Sequence, residues 1–261
     1  MVSALAFCFA SVFSLPVAAL AQNALLDLSK LPDHLDTTQP APAKTPLSPE
    51  KRADILMARK MYREAAEMYK EAPVDSAVIQ NKIGIAYHQM MRLDLAKQYY
   101  EHAMKLDSRY PEAINNLGTI YYSKKSFRRA TKLYQRALKL EPESASIFSN
   151  LGTAFFARKN YKSAIVAYQK ALALDPDVFE HRNSWGVLLQ ERSVEERAKF
   201  HYYLAKTYAK AGMNDRAITY IRKALEEGYS DRKKMMADPE FTSLRQMPEF
   251  QELLAMEPRV L

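Results

Sequence analysis

The seven residues Asn116–Tyr122 read NLGTIYY, and thirty-four residues later Asn150–Phe156 read NLGTAFF. Near-identity at that interval marks a repeat architecture, in which one small structural unit is copied and stacked. The period extends both ways. Gly84, Gly118, Gly152 and Gly186 stand 34 residues apart, so four of the six glycines keep one register. Ala96, Ala130 and Ala164 share the spacing, as do Tyr100, Tyr134 and Tyr168, and Ala103, Ala137 and Ala171. Tyr87, Tyr121 and Phe155 form a further set, and Pro142 and Pro176 close two of the units.

Each unit reads as two antiparallel helices. After residue 48 the chain is rich in Ala, Leu, Lys, Arg, Glu, Met and Tyr, a mixture that favours helix. The glycine falls midway along the first helix and the alanine of the 96/130/164 set early in the second. Small residues at both places let two backbones approach, and Leu117, Tyr121, Phe127, Tyr134 and Leu138 fill the space beside them. Proline ends the second helix and turns the chain into the next unit. One pair cannot bury its apolar face alone, whereas stacked pairs can.

This order of residues resembles the tetratricopeptide repeat: an apolar residue, Leu-Gly, an aromatic, Ala, an aromatic, Ala, then Pro. Residues 111–144 carry Leu117, Gly118, Tyr121, Ala130, Tyr134, Ala137 and Pro142. Residues 145–178 carry Phe148, Leu151, Gly152, Phe155, Ala164, Tyr168, Ala171 and Pro176. Residues 77–110 match at Ile83, Gly84, Tyr87, Ala96, Tyr100 and Ala103, with Ser108 in place of the proline. The resemblance implies an all-α fold, a right-handed solenoid of antiparallel helix pairs, here with a C-terminal helical cap.

The expected organisation is three full repeats over 77–178, with a degenerate repeat over 49–76 whose second helix is Met61–Ala72. Residues 179–229 are irregular. Gly186 keeps the phase, with Trp185 where leucine stood before, but ERAKFHYYLAKTYAKAG fits two registers. Ala198, Tyr202 and Ala205 suit a second helix. Leu204, Ala205 and Tyr208 suit a first helix, followed by Ala217, Ile221 and Ala224. Three consecutive helices near 179–191, 194–211 and 214–227, with the register slipping by one helix, would reconcile them. Residues 230–261 form the cap, in which Phe241, Leu244, Phe250 and Leu253 are the apolar set that covers the open end of the last repeat.

Residues 1–21, MVSALAFCFASVFSLPVAALA, carry no charge and end in Ala19-Leu20-Ala21, a small-x-small pattern. They read as a secretion signal cleaved after Ala21, with an N-terminal membrane anchor as the rival reading. Cys8, the only cysteine, lies inside this segment. Cleavage would leave a mature chain without disulfides or thiolate chemistry. Residues 22–48, with Pro32, Pro40, Pro42 and Pro46, read as a proline-rich disordered linker.

Neither a histidine metal motif, nor a phosphate loop, nor a nucleophile elbow occurs, so no catalytic residue, metal or cofactor is expected. Function then falls to a surface. The family resemblance implies that the first helices line a concave groove, which carried over position by position gives Asn81, Ile85 and His88; Asn115, Thr119 and Tyr122; and Ser149, Thr153 and Phe156. Val78 and Gln89, Glu112 and Ser123, and Ser146 and Ala157 complete the groove positions that the resemblance implies. These amides, hydroxyls and aromatics suit an extended peptide or a partner helix. Asn116 and Asn150 read as scaffold asparagines. Asn81 and Ile85 stand where a carboxylate clamp of the family would need Lys and Asn, which argues against binding of chaperone tails.

The formal net charge is +8. Arg128, Lys132 and Arg136, spaced by four, share one outer helix face and suit an anionic lipid surface or an acidic partner. The expectation is a non-enzymatic, periplasmic, bacterial protein-binding scaffold of the cell envelope. The alternatives are an anionic-surface binder and an accessory subunit of an envelope enzyme. No nucleic-acid partner is expected.

Overall fold

Side-chain caps and prolines set where the helices begin. Ser48, Ser76, Asn160 and Ser193 each accept a hydrogen bond from a backbone N–H of the first helical turn, and Pro49, Pro111 and Pro248 open their helices at positions that need no donor. The computed structural model describes residues 46–180 and 193–255. The expected signal segment, all but residues 46–48 of the expected linker, and Trp185 with Gly186 lie outside them.

The elements are α1 (Pro49–Ala58), α2 (Tyr62–Lys70), α3 (Ala77–Gln89), α4 (Leu93–Leu106), α5 (Pro111–Ser123), α6 (Phe127–Leu140), α7 (Ala145–Ala157) and α8 (Tyr161–Leu174). Then come α9 (Val194–Lys210), α10 (Asn214–Glu226), α11 (Arg232–Ala237), a 3-10 helix (Pro239–Leu244) and α12 (Pro248–Ala255). No strand occurs among the described residues. Each odd-numbered helix up to α9 packs on its even-numbered successor, and each second helix packs on the next first helix. The result is a right-handed solenoid of antiparallel pairs with a helical cap.

One contact recurs within the pairs. A Cβ added to Gly84, Gly118 or Gly152 would lie 2.4–2.7 Å from the ring of Tyr100, Tyr134 or Tyr168, sixteen residues on. The glycine therefore has no side chain because a fully buried tyrosine ring lies flat against its helix. The outer pairs solve the same fit differently. Ala53 stands opposite Tyr69 in the first, and Ala205 opposite Ile221 in the last, all buried. In the last pair a methyl has been added on one helix and the ring removed from the other.

That substitution explains why residues 198–211 fit two registers. The structure pairs α9 with α10 as first and second helix, so Leu204-Ala205 align with Leu117-Gly118. Of the stretch 179–191, Phe179 and Glu180 lie in a turn and the remainder is outside the described residues.

Within each pair the hairpin turn repeats one geometry. In the third, Lys125 N–H donates to Tyr122 C=O and Ser126 N–H to Tyr121 C=O, both at 2.8 Å, the double closure of a Schellman turn. This places a residue at positive φ: Lys60, Met91, Lys125 and Lys159 at 56–60°, and Gly212 at 76°.

The cap is fastened to α9. Phe241, Leu244 and Phe250 are fully buried, and Phe241 meets the Tyr202 ring edge-on. Tyr202 occupies in α9 the place that Asn115 holds in α5, and its hydroxyl donates to Asp238. Lys206 Nζ lies 2.7 Å from Asp238 and 3.2 Å from Glu240. Burial, with the Glu240 charge beside it, pushes the Asp238 carboxyl up to about 6.

Overpacking costs about 1–3 kcal/mol and replacing a helical glycine returns about 1, so Gly118→Ala should lower stability by up to roughly 2 kcal/mol. In a Tyr134→Ile background the same change should cost clearly less, as the Ala205–Ile221 pair implies. Urea unfolding of the four proteins measures this coupling. Equal costs in both backgrounds would refute the ring contact as the cause.

Candidate protein-binding groove

Helices α3, α5 and α7 lie side by side, each touching the next. Their shared surface is bound together by amides. Asn150 Nδ2 donates to Asn115 Oδ1 at 3.0 Å, and Asn116 Nδ2 donates to Asn81 Oδ1 at 3.0 Å. Asn115 and Asn116 are linked at 3.4 Å, and Asn81 Nδ2 reaches the Tyr110 hydroxyl at 3.4 Å. The four asparagines, each at most 8% exposed, form a ladder across three first helices. Asn116 and Asn150 are thus scaffold, and Asn81 and Asn115, expected to face a ligand, are tied into the same ladder. Asparagine is a poor residue for a helix interior, and its presence here is explained by these inter-repeat bonds.

A second device anchors this floor to the second helices. The Tyr134 hydroxyl donates to Thr119 Oγ1 at 3.2 Å, and the Tyr168 hydroxyl to Thr153 Oγ1 at 3.2 Å. Each threonine passes its own proton to a carbonyl one turn back, Asn115 or Ser149. In α1 the equivalent position is Asp54, which accepts from Tyr69 at 2.5 Å. In α3 it is Ile85, which has no acceptor, and the Tyr100 hydroxyl instead lies 3.5 Å from Nδ1 of His88. Burial lowers the His88 imidazole below its ordinary value, which keeps it neutral and able to accept.

The expected groove residues therefore divide. Asn81, Asn115, Thr119 and Thr153 are buried floor with their polar atoms engaged. Tyr122 is buried against Phe127, with ring centroids 5.2 Å apart. Phe156 is buried among Tyr161, Phe200 and Tyr203, so it belongs to the junction with α9. Ile85, His88 and Ser149 are half-buried, while Val78, Glu112 and Ser146 are exposed at the edge. These six offer the accessible chemistry of the face.

Arg128, Lys132 and Arg136 are all exposed on α6. They do not converge on one point. Arg128 joins Lys125, Arg129 and Arg158 around one shallow depression, and Lys132 and Arg136 join Lys139, Phe148 and Lys170 around another. Arg136 also donates to the Ser108 carbonyl at 2.6 Å. Arg158 and Lys170 come from the next repeat, so a linear reading of the α6 cluster did not find them. Among the described residues no group of three His, Cys, Asp or Glu is placed to hold a metal. None of the described helices is long and apolar enough to cross a membrane.

Three profiles of the tetratricopeptide repeat match the chain, over residues 75–141, 115–178 and 198–227. Together they take in just over half of the 261 residues, and the chain belongs to the tetratricopeptide repeat family. The match over 198–227 spans α9 and α10, as the pairing of those helices requires. Similar solved structures include a crystal structure of MamA, at 21% identity and TM-score 0.47, covering 67% of this chain and 93% of that one. MamA from Desulfovibrio magneticus RS-1 is 19% identical with TM-score 0.48, covering 69% and 92%. YrrB, described as a repeat protein of this family with an unusual peptide-binding site, is 18% identical with TM-score 0.46, covering 72% and 89%. No curated protein matches the chain in sequence.

The neutral state of His88 carries a consequence for pH. Its folded pKa lies below the ordinary 6.5, so the stability it contributes is present above that value and is lost as pH falls toward the folded value. Thermal unfolding between about pH 7.5 and 5 should show a smaller loss for His88→Gln than for the parent. An identical pH dependence in the two proteins would show that His88 is not the group responsible.

Proposed function

We propose that this chain is a non-enzymatic scaffold that receives an extended peptide or a partner helix across α3, α5 and α7. The observation that carries this reading is the pre-set floor. The Asn ladder joins the three first helices and the Tyr–Thr bonds tie two of them to their second helices, which leaves the half-buried Ile85, His88 and Ser149 and the exposed Val78, Glu112 and Ser146 as the accessible groups. A rigid face with regular side-chain spacing lowers the ordering cost of a bound segment. The uncharged N-terminal stretch ending in Ala19-Leu20-Ala21 supports a site of action in the bacterial cell envelope.

Photo-crosslinking tests this. Crosslinkable residues at His88 and Ser149 in the native host should capture one discrete partner, and the same residue at Lys132 should not. Capture at Lys132 alone would move the function off the groove.

A second reading is favoured by one observation. Residues 113–174 hold eleven Lys and Arg against two Glu, a local excess larger than that of the whole chain. Such a local excess of positive charge suits an anionic lipid surface. Binding to vesicles containing acidic phospholipid should then fall steeply with salt and be lost in Arg128→Glu/Arg136→Glu, as read by co-sedimentation. Salt-independent binding, or none, would end this reading.

A further inference from the structure

The solenoid has two edges. One is made of the hairpin turns inside the pairs, at 59–61, 90–92, 124–126, 158–160 and 211–213. The other is made of the return loops between pairs, at 71–76, 107–110, 141–144, the described part of 175–193, and 227–231. Charge is sorted between them. The first four hairpin turns hold seven Lys and Arg and no carboxylate. The first four return loops, counted to residue 180, hold eight Asp and Glu and one cation, Arg109.

Helix dipoles do not account for this. Each edge presents one helix N-terminus and one C-terminus per pair, so the partial charges of the backbone cancel along both. Internal pairing accounts for only part of it, Lys124 with Asp94, Glu71 with Arg52 and Asp177 with Arg216. Lys60, Lys125 and Lys159 on the basic edge form no ion pair among the described residues, and neither do Asp75, Asp107 and Glu143 on the acidic edge. All six are exposed. The three lysines also sit at positive φ, where the last pair has Gly212 and where a side chain costs about 1 kcal/mol or more. The chain thus keeps cations at the position of the turn least suited to them.

We propose that the occupant of the basic edge is the acidic edge of a second copy of this chain. The two edges belong to one array and repeat at one pitch. A copy laid alongside in the same orientation therefore brings its return loops opposite successive hairpin turns, in register over several repeats. An anionic membrane or an acidic protein would use the basic edge and leave the acidic one without a role, whereas a second copy uses both. Because the edges differ, the contact is heterologous and leaves a free edge at each end, so assembly grows as an open row.

Sedimentation velocity of the full-length chain tests the proposal. At about 50 mM salt the mean mass should rise with concentration beyond the 29.9 kDa monomer, and at about 500 mM it should return to monomer. The triple variant Lys60→Gly/Lys125→Gly/Lys159→Gly should associate at least tenfold more weakly at low salt while its urea midpoint stays or rises, an opposition that damage to the fold would not produce. Lys125→Glu/Lys159→Glu and Asp107→Lys/Glu143→Lys should each be monomeric alone and should associate when mixed. A monomeric parent at low salt, association that resists salt, or a mixture that stays monomeric would each overturn the proposal. So would capture of the basic edge by anionic vesicles without any self-association.

Discussion

The array depends on a tyrosine ring lying against a bare helical backbone. At Gly84, Gly118 and Gly152 the ring sits where a Cβ would be, and this sets how near the two helices of a pair can come. The same tyrosine then reaches past the glycine with its hydroxyl. In two of these pairs it meets a threonine on the first helix and in one a histidine, and in the first pair, where Ala53 replaces the glycine, Tyr69 meets an aspartate. Packing distance and rotational setting of these three pairs are thus governed by one side chain. The face shared by α5 and α7 inherits its regularity from that, because Thr119 and Thr153 are the tyrosines' acceptors.

Between pairs the governing interaction changes. Three first helices are joined by amide bonds, which need good geometry and reward a fixed offset from one helix to the next. At α9 this ends. Tyr203 stands where Asn116 and Asn150 stand in their helices, and it stacks on Tyr161 with centroids 4.4 Å apart, while Phe200 meets Phe156. The cap then uses Tyr202, Lys206 and Asp238 in place of a further asparagine contact. In place of the amide ladder, the C-terminal part of the array has rings, a buried ion pair, and hydrogen bonds from Tyr208 and Tyr220 to Glu180.

Much of the fold was legible from the 34-residue period, since Gly, Ala and Tyr at fixed offsets admit little besides a helix pair. The register of 198–211 was not, because Ala205 and Ile221 replace both members of the diagnostic contact together and erase the signature while keeping the fit. The face shared by α3, α5 and α7 was legible as a set of helix positions but not as a set of accessible groups. Asn81, Asn115, Thr119 and Thr153 are polar, and polarity at a groove position reads as availability. Their partners lie 15 or 35 residues away on other helices, beyond what local spacing reveals. Phe156 was placed in the groove for a like reason, its covering rings Phe200 and Tyr203 coming from a helix whose register was ambiguous. The sorting of charge by edge needed the turns and loops to be assembled side by side, which no single stretch of sequence does.

The change of adhesive at α9 has a thermal consequence. Contacts between rings draw on the hydrophobic effect, which weakens as water is cooled, whereas hydrogen bonds between amides do not share that dependence. A stack of repeats behaves as a row of units coupled to their neighbours. In this row the couplings from α3 to α7 and the coupling from α7 to α9 respond differently to cold. On cooling, the aromatic joint should lose more of its strength than the asparagine-linked block, so the stiffness of the solenoid along its length becomes a function of temperature.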